Sequence, residues 1–129
     1  MMNNPYLFGS LKAGPIIVRR IIESVDPDRY STHTDPDRFT FQEAIAHMAD
    51  WDEIDFSRIR QAIDQPGSTL VPYDEVARAE EQGYVATDVM EQLALYEARR
   101  RQLLEFLTAL PKESWSSSAF HPEKGELTV

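Results

Sequence analysis

Three long segments of the chain repeat apolar residues at alternating steps of three and four, which is the spacing of one face of an α-helix. Polar segments that contain proline join them, and no strand-like alternation stands out along the sequence. Helices with apolar faces must pack together to bury them. The 129 residues therefore predict one all-α domain, a helical bundle spanning 1–129. Its helices are predicted at about 5–25, 41–64, 73–82 and 88–110.

The first helix is predicted to begin at Asn4 and Pro5, an N-cap residue followed by proline at the first helical position. Gly14 and Pro15 lie inside its apolar pattern. Because proline clashes with the preceding turn of a helix, we expect a kink or a break there. The apolar face comprises Phe8, Leu11, Pro15, Val18, Ile22 and Val25.

The second helix is predicted to begin at a capping box formed by Thr40 and Glu43, and to end before Pro66. It carries two adjacent seams, which predict helical neighbours on two sides, as in a bundle. The first seam consists of Phe41, Ile45, Met48, Asp52, Asp55 and Ile59, and the second consists of Ala44, His47, Trp51, Ile54 and Arg58.

The third long helix has a heptad-like seam with an arginine at its centre. This seam consists of Val89, Leu93, Tyr96, Arg100, Leu103, Leu107 and Leu110. Residues 65–86 connect it to the second helix and contain a short predicted helix, with proline at its start and Gly83 at its end. A crossover of this length is sufficient to link two parallel helices.

Three charged residues lie on otherwise apolar seams, Asp52 and Asp55 on the second helix and Arg100 on the third. They lie at similar distances from the starts of their helices, so parallel helices would place them at about the same height. They predict either an ion pair that fixes the register of the helices, which we prefer, or a polar lining for a cavity in the bundle.

The composition excludes several classes of function. With 13 basic and 22 acidic residues the formal charge is −9, which disfavours binding to nucleic acid and to anionic membranes. The absence of cysteine excludes disulfides, a thiolate nucleophile and cysteine-ligated metal centres. The N-terminal segment lacks the pattern of a signal peptide, and no apolar stretch is long enough to span a bilayer. Together these features predict a cytoplasmic protein.

No catalytic motif is evident, so no catalytic residue is assigned from the pattern alone. His33 and His121 are expected in solvated loops beside prolines, and the serines at 116–118 in a flexible loop without a histidine–acid partner. No HxxxH or HExxH spacing is present. His47 is accordingly interpreted as a histidine on the flank of a buried seam, bonded to a carboxyl or backbone oxygen.

Four stretches nevertheless resemble, in order, the DinB-like superfamily of four-helix bundles, also called the DinB/YfiT group. The run "FTFQEAIAHMADWDE" resembles the second helix of that family. The runs "VPYDEVARAEEQGY", "YEARRRQLLEFLTAL" and "FHPEKGELTV" resemble its crossover, its third helix and the entry to its fourth. The resemblance implies an up-up-down-down bundle with a long crossover after helix two. Thr128 is then predicted to cap a fourth helix that is absent from this chain, through truncation or because the protein dispenses with it.

The resemblance also implies a divalent metal, zinc or nickel, held by three histidines, one of which matches His47. The other two belong to the HxxxH of helix four, so we expect an incomplete metal site in this chain. The implied function is a metal-dependent enzyme of the hydrolase or thiol-transferase class, acting on a small-molecule substrate. The alternative is a non-catalytic, homo-oligomeric binding or scaffold bundle. Three long helices leave an apolar groove uncovered, so we expect a twofold dimer.

Overall fold

The structure of the protein, a computed structural model, describes residues 5–129. Four α-helices and an antiparallel hairpin make up this part of the chain. The helices are α1 (Leu7–Ser24), α2 (Phe41–Asp64), α3 (Glu75–Gln82) and α4 (Val89–Ala109), and the strands are β1 (Ser118–His121) and β2 (Gly125–Thr128). Short 3-10 turns cover Pro27–Arg29, Tyr84–Ala86 and Lys112–Ser116. The predicted N-cap residue Asn4 lies outside the described residues.

Side-chain caps fix where three of the helices begin. The capping box predicted at Thr40 and Glu43 is present at the start of α2. The Glu43 amide donates to the Thr40 hydroxyl, and the Glu43 carboxylate accepts from the Thr40 amide, each at 3.2 Å. Asp74 caps α3 and Asp88 caps α4, each accepting from the amide three residues farther along. Gly83, with φ at 64°, ends α3 in the left-handed conformation that favours glycine.

The helices α2 and α4 run parallel to each other. The Arg99 guanidinium donates to the Ala49 carbonyl at 2.6 Å, and farther along both helices Phe56 packs edge-on against Phe106. The contacts therefore advance in the same direction along both helices. The segment between them, which contains α3, returns the chain to the end of the bundle where α2 began, as the predicted crossover requires.

The helix α1 runs antiparallel to α4. Near the start of α1, Phe8 contacts Trp115 beyond the end of α4, and farther along Arg19 pairs with Glu97 at 2.7 Å. The three long helices thus run up, down and down. The predicted mostly helical bundle is confirmed, but the directions differ from the up-up-down-down label, because α1 and α2 point opposite ways.

The main core lies where α1, α2 and α4 meet, and Leu93 of α4 is fully buried within it. Its buried members are Val18, Ile22, Ile45, Ala49, Val89, Leu93 and Tyr96. Two smaller clusters join α2 to the crossover through Ala46, Ala79 and Tyr84, and α2 to the hairpin through Ala62, Leu70 and Ala119. Within residues 5–129, no helix combines the length and the apolar character that crossing a membrane requires.

A hairpin follows α4, in a region where the sequence predicted no strand. It pairs Ser118 with Thr128 at one end and His121 with Gly125 at the other. Thr128 is therefore part of a strand rather than the N-cap of a helix. Of the serines predicted in a flexible loop, Ser116 ends a 3-10 turn and Ser118 begins β1, with Ser117 between the two elements. Strands of four residues are too short for an alternating pattern to stand out from the sequence.

Backbone hydrogen bonds attach this hairpin to the crossover. The Phe120 amide donates to the Ser68 carbonyl, and the Leu70 amide donates to the Phe120 carbonyl, both at 2.7 Å. The attachment places the hairpin beside the C-terminal half of α2. The hairpin, α1, α2 and α4 together surround the cavity described below.

Candidate functional site

One largely buried guanidinium connects the three long helices. Arg100 of α4 binds the Asp52 carboxylate of α2 in a bidentate pair, with its Nε and Nη2 donating at 3.1 and 2.7 Å. Its Nη1 donates to the Leu11 carbonyl of α1 at 2.9 Å, and Nη2 also reaches the Tyr96 hydroxyl at 3.2 Å. The structure thus brings Arg100 to Asp52, not to Asp55, which is the other partner considered from the sequence.

The sequence Gly14-Pro15 explains how α1 accepts this side chain. In an α-helix the amide of residue 15 would donate to the carbonyl of residue 11, but proline has no N–H, so the Leu11 carbonyl lacks its usual donor. Arg100 supplies the missing bond. A Cβ on Gly14 would lie 2.9 Å from Arg100 Nη1, so glycine leaves the space that the guanidinium needs. The helix continues through Pro15, so of the kink or break predicted there the break does not occur.

The Asp52–Arg100 pair is a satisfied internal charge pair. Asp52 is 7% exposed. Burial alone would lower the pKa of Arg100, but the hydrogen bonds and charge of Asp52 outweigh it, so the pKa lies above its ordinary value. The guanidinium therefore stays charged and has no reactive role as an acid.

A cavity of about 580 Å³ opens beside this pair, between α1, α2, α4 and the hairpin. Its wall is mainly apolar and includes Leu11, Ile59, Leu103, Leu107, Trp115 and Leu127. The polar groups at its wall include Asp52, Asp55, Arg58, Arg100 and Lys124. A mainly apolar cavity of this size with a few convergent polar groups is typical of small-molecule sites.

Asp55 lies at the wall of the cavity, where water still reaches it. Within residues 5–129 its carboxylate has no hydrogen bond and no ion pair. Partial desolvation raises its pKa, and the charge of Asp52 adds to the effect, while Arg58 and Lys124 oppose it. Asp55 is thus a carboxylate that takes up a proton more readily than an ordinary aspartate.

A second ion pair, partly buried, lies on the other side of α2, and the sequence did not predict it. Asp50 accepts from Nε and Nη2 of Arg78 in α3, at 2.7 and 2.8 Å, and from the Tyr84 hydroxyl at 2.5 Å. Burial would raise the pKa of Asp50, but these bonds outweigh it and hold the pKa below its ordinary value. The sequence feature that could have indicated this pair is an aspartate one helical turn after His47, together with an arginine and a tyrosine in the crossover.

His47 lies next to this pair, within an aromatic cluster. Its ring centroid is 4.5 Å from that of Trp51, 5.4 Å from that of Phe39 and 6.4 Å from that of Tyr84. Its Nδ1 is buried and has no hydrogen-bond partner. The predicted bond from His47 to a carboxyl or backbone oxygen is therefore absent at this nitrogen.

The other two histidines differ from each other. His33 is exposed in the loop after α1, as predicted. His121 was expected to be solvated, but it is 4% exposed within β1. Its Nδ1 accepts hydrogen bonds from the amides of Glu123 and Lys124 at 3.1 and 3.2 Å, so His121 stabilises the hairpin turn.

The described residues do not complete a metal site. Among residues 5–129, no three histidine, cysteine, aspartate or glutamate side chains lie close enough together to hold a metal ion. Asp50, one turn from His47, is occupied by Arg78 and Tyr84. His47 can therefore offer one ligand, and a catalytic zinc site needs about three from protein.

Parallel second and third long helices, linked by a crossover that contains a short helix, define a particular class of helical bundle. The sequence model of the DinB superfamily matches residues 11–129, and the chain belongs to that superfamily. No curated protein matches.

A solved structure with the same fold is that of YfiT from Bacillus subtilis, described as a probable metal-dependent hydrolase with an unusual four-helix bundle topology. The match has a TM-score of 0.84 at 20% sequence identity, and covers 94% of this chain and 70% of that one. At this identity the match shows a common fold. The family model confirms the predicted family, and this match confirms the predicted fold class.

Proposed function

We propose that the protein belongs among divalent-metal-dependent enzymes of the hydrolase or thiol-transferase class, with His47 as the ligand that α2 contributes. The single observation that carries this proposal is the buried Nδ1 of His47 without a hydrogen-bond partner. Buried polar atoms nearly always have a partner, so an imidazole nitrogen without one calls for an explanation. The description of the YfiT fold neighbour supports the same class.

The surroundings of His47 support a role that needs a fixed ring. Trp51 and Phe39 pack against the imidazole, and Tyr84 is held in place by its bond to Asp50. Arg78 completes the charge balance of Asp50. These residues orient the imidazole and limit the access of water to it. None of them is free to supply a second ligand.

Zinc titration of the metal-stripped protein, followed by the imidazole NMR signals of the three histidines, tests the proposal. We expect the His47 signals to shift at lower zinc concentrations than those of exposed His33. In His47→Ala, this first zinc-binding event should be lost. Binding should be weaker than micromolar, because the described residues offer one ligand of about three.

Two controls are built into the chain. His33→Ala should leave the His47 response unchanged, and His121 should stay silent because it is buried and its Nδ1 is already bonded. If His33 responds before His47, His47 is not a metal ligand and the proposal fails. Submicromolar, stoichiometric binding that His47→Ala abolishes would instead show a complete site that includes His47.

A second candidate function, a non-catalytic homo-oligomeric binding or scaffold bundle, is favoured by a separate observation. Three isoleucines of α1 are largely exposed, Ile16 at 55%, Ile17 at 52% and Ile21 at 46%. None of them lines the cavity. Neighbouring exposed β-branched residues on one helix form an apolar patch of the kind that marks a protein contact.

A further inference from the structure

The polar end of the cavity carries charged side chains that form no ion pair within residues 5–129. Asp52 and Arg100 neutralise each other, whereas Arg58, Lys124 and Asp55 form no ion pair within residues 5–129. Two of these three side chains are cationic and one is anionic. The side chains at the polar end of the cavity thus carry one more positive than negative charge, although the whole chain is strongly acidic.

The guanidinium of Arg58 is only partly satisfied. Its Nη2 donates to the Val71 carbonyl at 3.0 Å, and its Cζ lies 5.5 Å from the ring centroid of Tyr73. Its Nε is buried without a partner. A guanidinium bonds most strongly to a carboxylate, and this one has none in the described chain.

Asp55 does not prevent an anion from binding here. Because desolvation raises its pKa, it can take up a proton when a second carboxylate approaches and then donate a hydrogen bond to it. A protonated aspartate beside a carboxylate is the arrangement that two acids sharing one site adopt. An amine ligand, in contrast, would meet the unpaired charges of Arg58 and Lys124.

We propose that the cavity binds a small monocarboxylic acid with an apolar body. Its carboxylate lies toward Arg58 and Lys124, and its body lies against Leu103, Leu107 and Trp115. The proposal does not depend on His47, which does not line this cavity. The two proposals can therefore fail separately.

Calorimetric titration of the whole chain with octanoate tests the proposal, with octylamine and octanol as probes that have the same alkyl body. We expect saturable binding of octanoate at one site per chain. Octanol and octylamine should bind at least about tenfold more weakly, since each lacks the carboxylate that makes charge-assisted bonds.

Two lysine variants test where the carboxylate of octanoate binds. Lys124→Gln should weaken octanoate binding about tenfold and leave octanol binding unchanged. Lys112→Gln, an exposed lysine outside the cavity wall, should change neither. Lys124 is itself exposed in the hairpin turn, so the variant is expected to fold, and circular dichroism verifies this.

Three results would overturn the inference. Equal affinity for all three amphiphiles would mean an apolar groove without a head-group site. Octanoate binding that Lys124→Gln leaves unchanged would remove the carboxylate from the place assigned to it. No detectable binding of octanoate, whether the chain is a monomer or a dimer, would mean that the cavity does not accept a carboxylate.

Discussion

Removing the Arg100 side chain should strongly destabilise the bundle. Arg100→Ala leaves the carboxylate of Asp52 buried without a partner and the Leu11 carbonyl without a donor. Breaking a buried pair from one side typically costs about 3–5 kcal/mol, so we expect a loss of this size in the free energy of unfolding. Urea denaturation measures it.

The neighbouring arginine provides the control. Arg101 is exposed, and Arg101→Ala should change the free energy of unfolding by no more than about 0.5 kcal/mol. If Arg100→Ala falls within that same range, the guanidinium is solvated and does not hold the helices together.

Two aspartates of α2 should respond to pH with opposite signs. The pKa of Asp50 is depressed, so its stabilisation is present at neutral pH and is lost as the pH falls below about 4 toward the folded-state pKa. Asp50→Asn should therefore lower the free energy of unfolding at pH 7 by about 2–3 kcal/mol, and the difference should shrink in acid.

Asp55 provides the comparison with Asp50, because its pKa in the folded state is raised by desolvation rather than lowered. The ionised form then costs stability at neutral pH, and Asp55→Asn should raise the free energy of unfolding there. This gain should also vanish below about pH 4, where Asp55 is protonated in both states. Urea denaturation of both variants at a series of pH values measures the two trends, and equal signs at pH 7 would contradict the assignment.

The sequence could predict an internal ion pair, but not its full set of partners. Asp52 and Arg100 were identifiable because a charged residue on an apolar seam needs an oppositely charged partner when it is buried. The bond from Arg100 to the Leu11 carbonyl was not, because a side-chain pattern carries no information about backbone acceptors. The burial of His121 depends on a hairpin that the sequence did not predict.

Two glycines of α1 differ in what surrounds them, and the difference is testable. A Cβ at Gly9 meets nothing within 4 Å, whereas at Gly14 it would lie 2.9 Å from both Arg100 Nη1 and Tyr96 Oη. Gly9→Ala should stabilise the protein by up to about 1 kcal/mol through helix propensity. Gly14→Ala should destabilise it, because the guanidinium is fixed by Asp52 and cannot move aside.

Thermal unfolding followed by circular dichroism compares the two variants in the same helix. A rise in melting temperature for both glycine variants would contradict the close approach of Arg100 to α1. A fall for both would mean that α1 is sensitive to any substitution in its first half.

At the scale of elements, the long helices were accessible to sequence reasoning and the short strands were not. A stretch such as α4 repeats its apolar pattern over 21 residues, so accidental matches are rare. The strands β1 and β2 span four residues each and depend on pairing with each other and with the crossover. Such tertiary pairing overrides local preference, so strand propensity alone does not reveal it.

At the scale of the whole molecule, the exposed isoleucines of α1 predict association. We expect light scattering at low micromolar concentration to give a dimer of the 14.8 kDa chain. Ile17→Lys should shift it to monomer, because a charge then lies in the apolar patch. Val76→Lys, at an apolar position on α3 that is at least as exposed, should leave the dimer unchanged. A single 14.8 kDa species with sharp unfolding for the unaltered chain would exclude the dimer.

The parallel arrangement of α2 and α4 also bears on how fast this chain can reach its native state. In a bundle joined by tight turns, contacts between neighbouring helices can form one after another, starting beside the turn. Here Ala49 meets Arg99 fifty positions later, and the intervening loop must close before that contact can form. Closing this loop lowers the conformational entropy of the chain before the packing of the two helices stabilises it. We therefore expect a higher contact order and slower folding than in a meandering three-helix bundle of similar length.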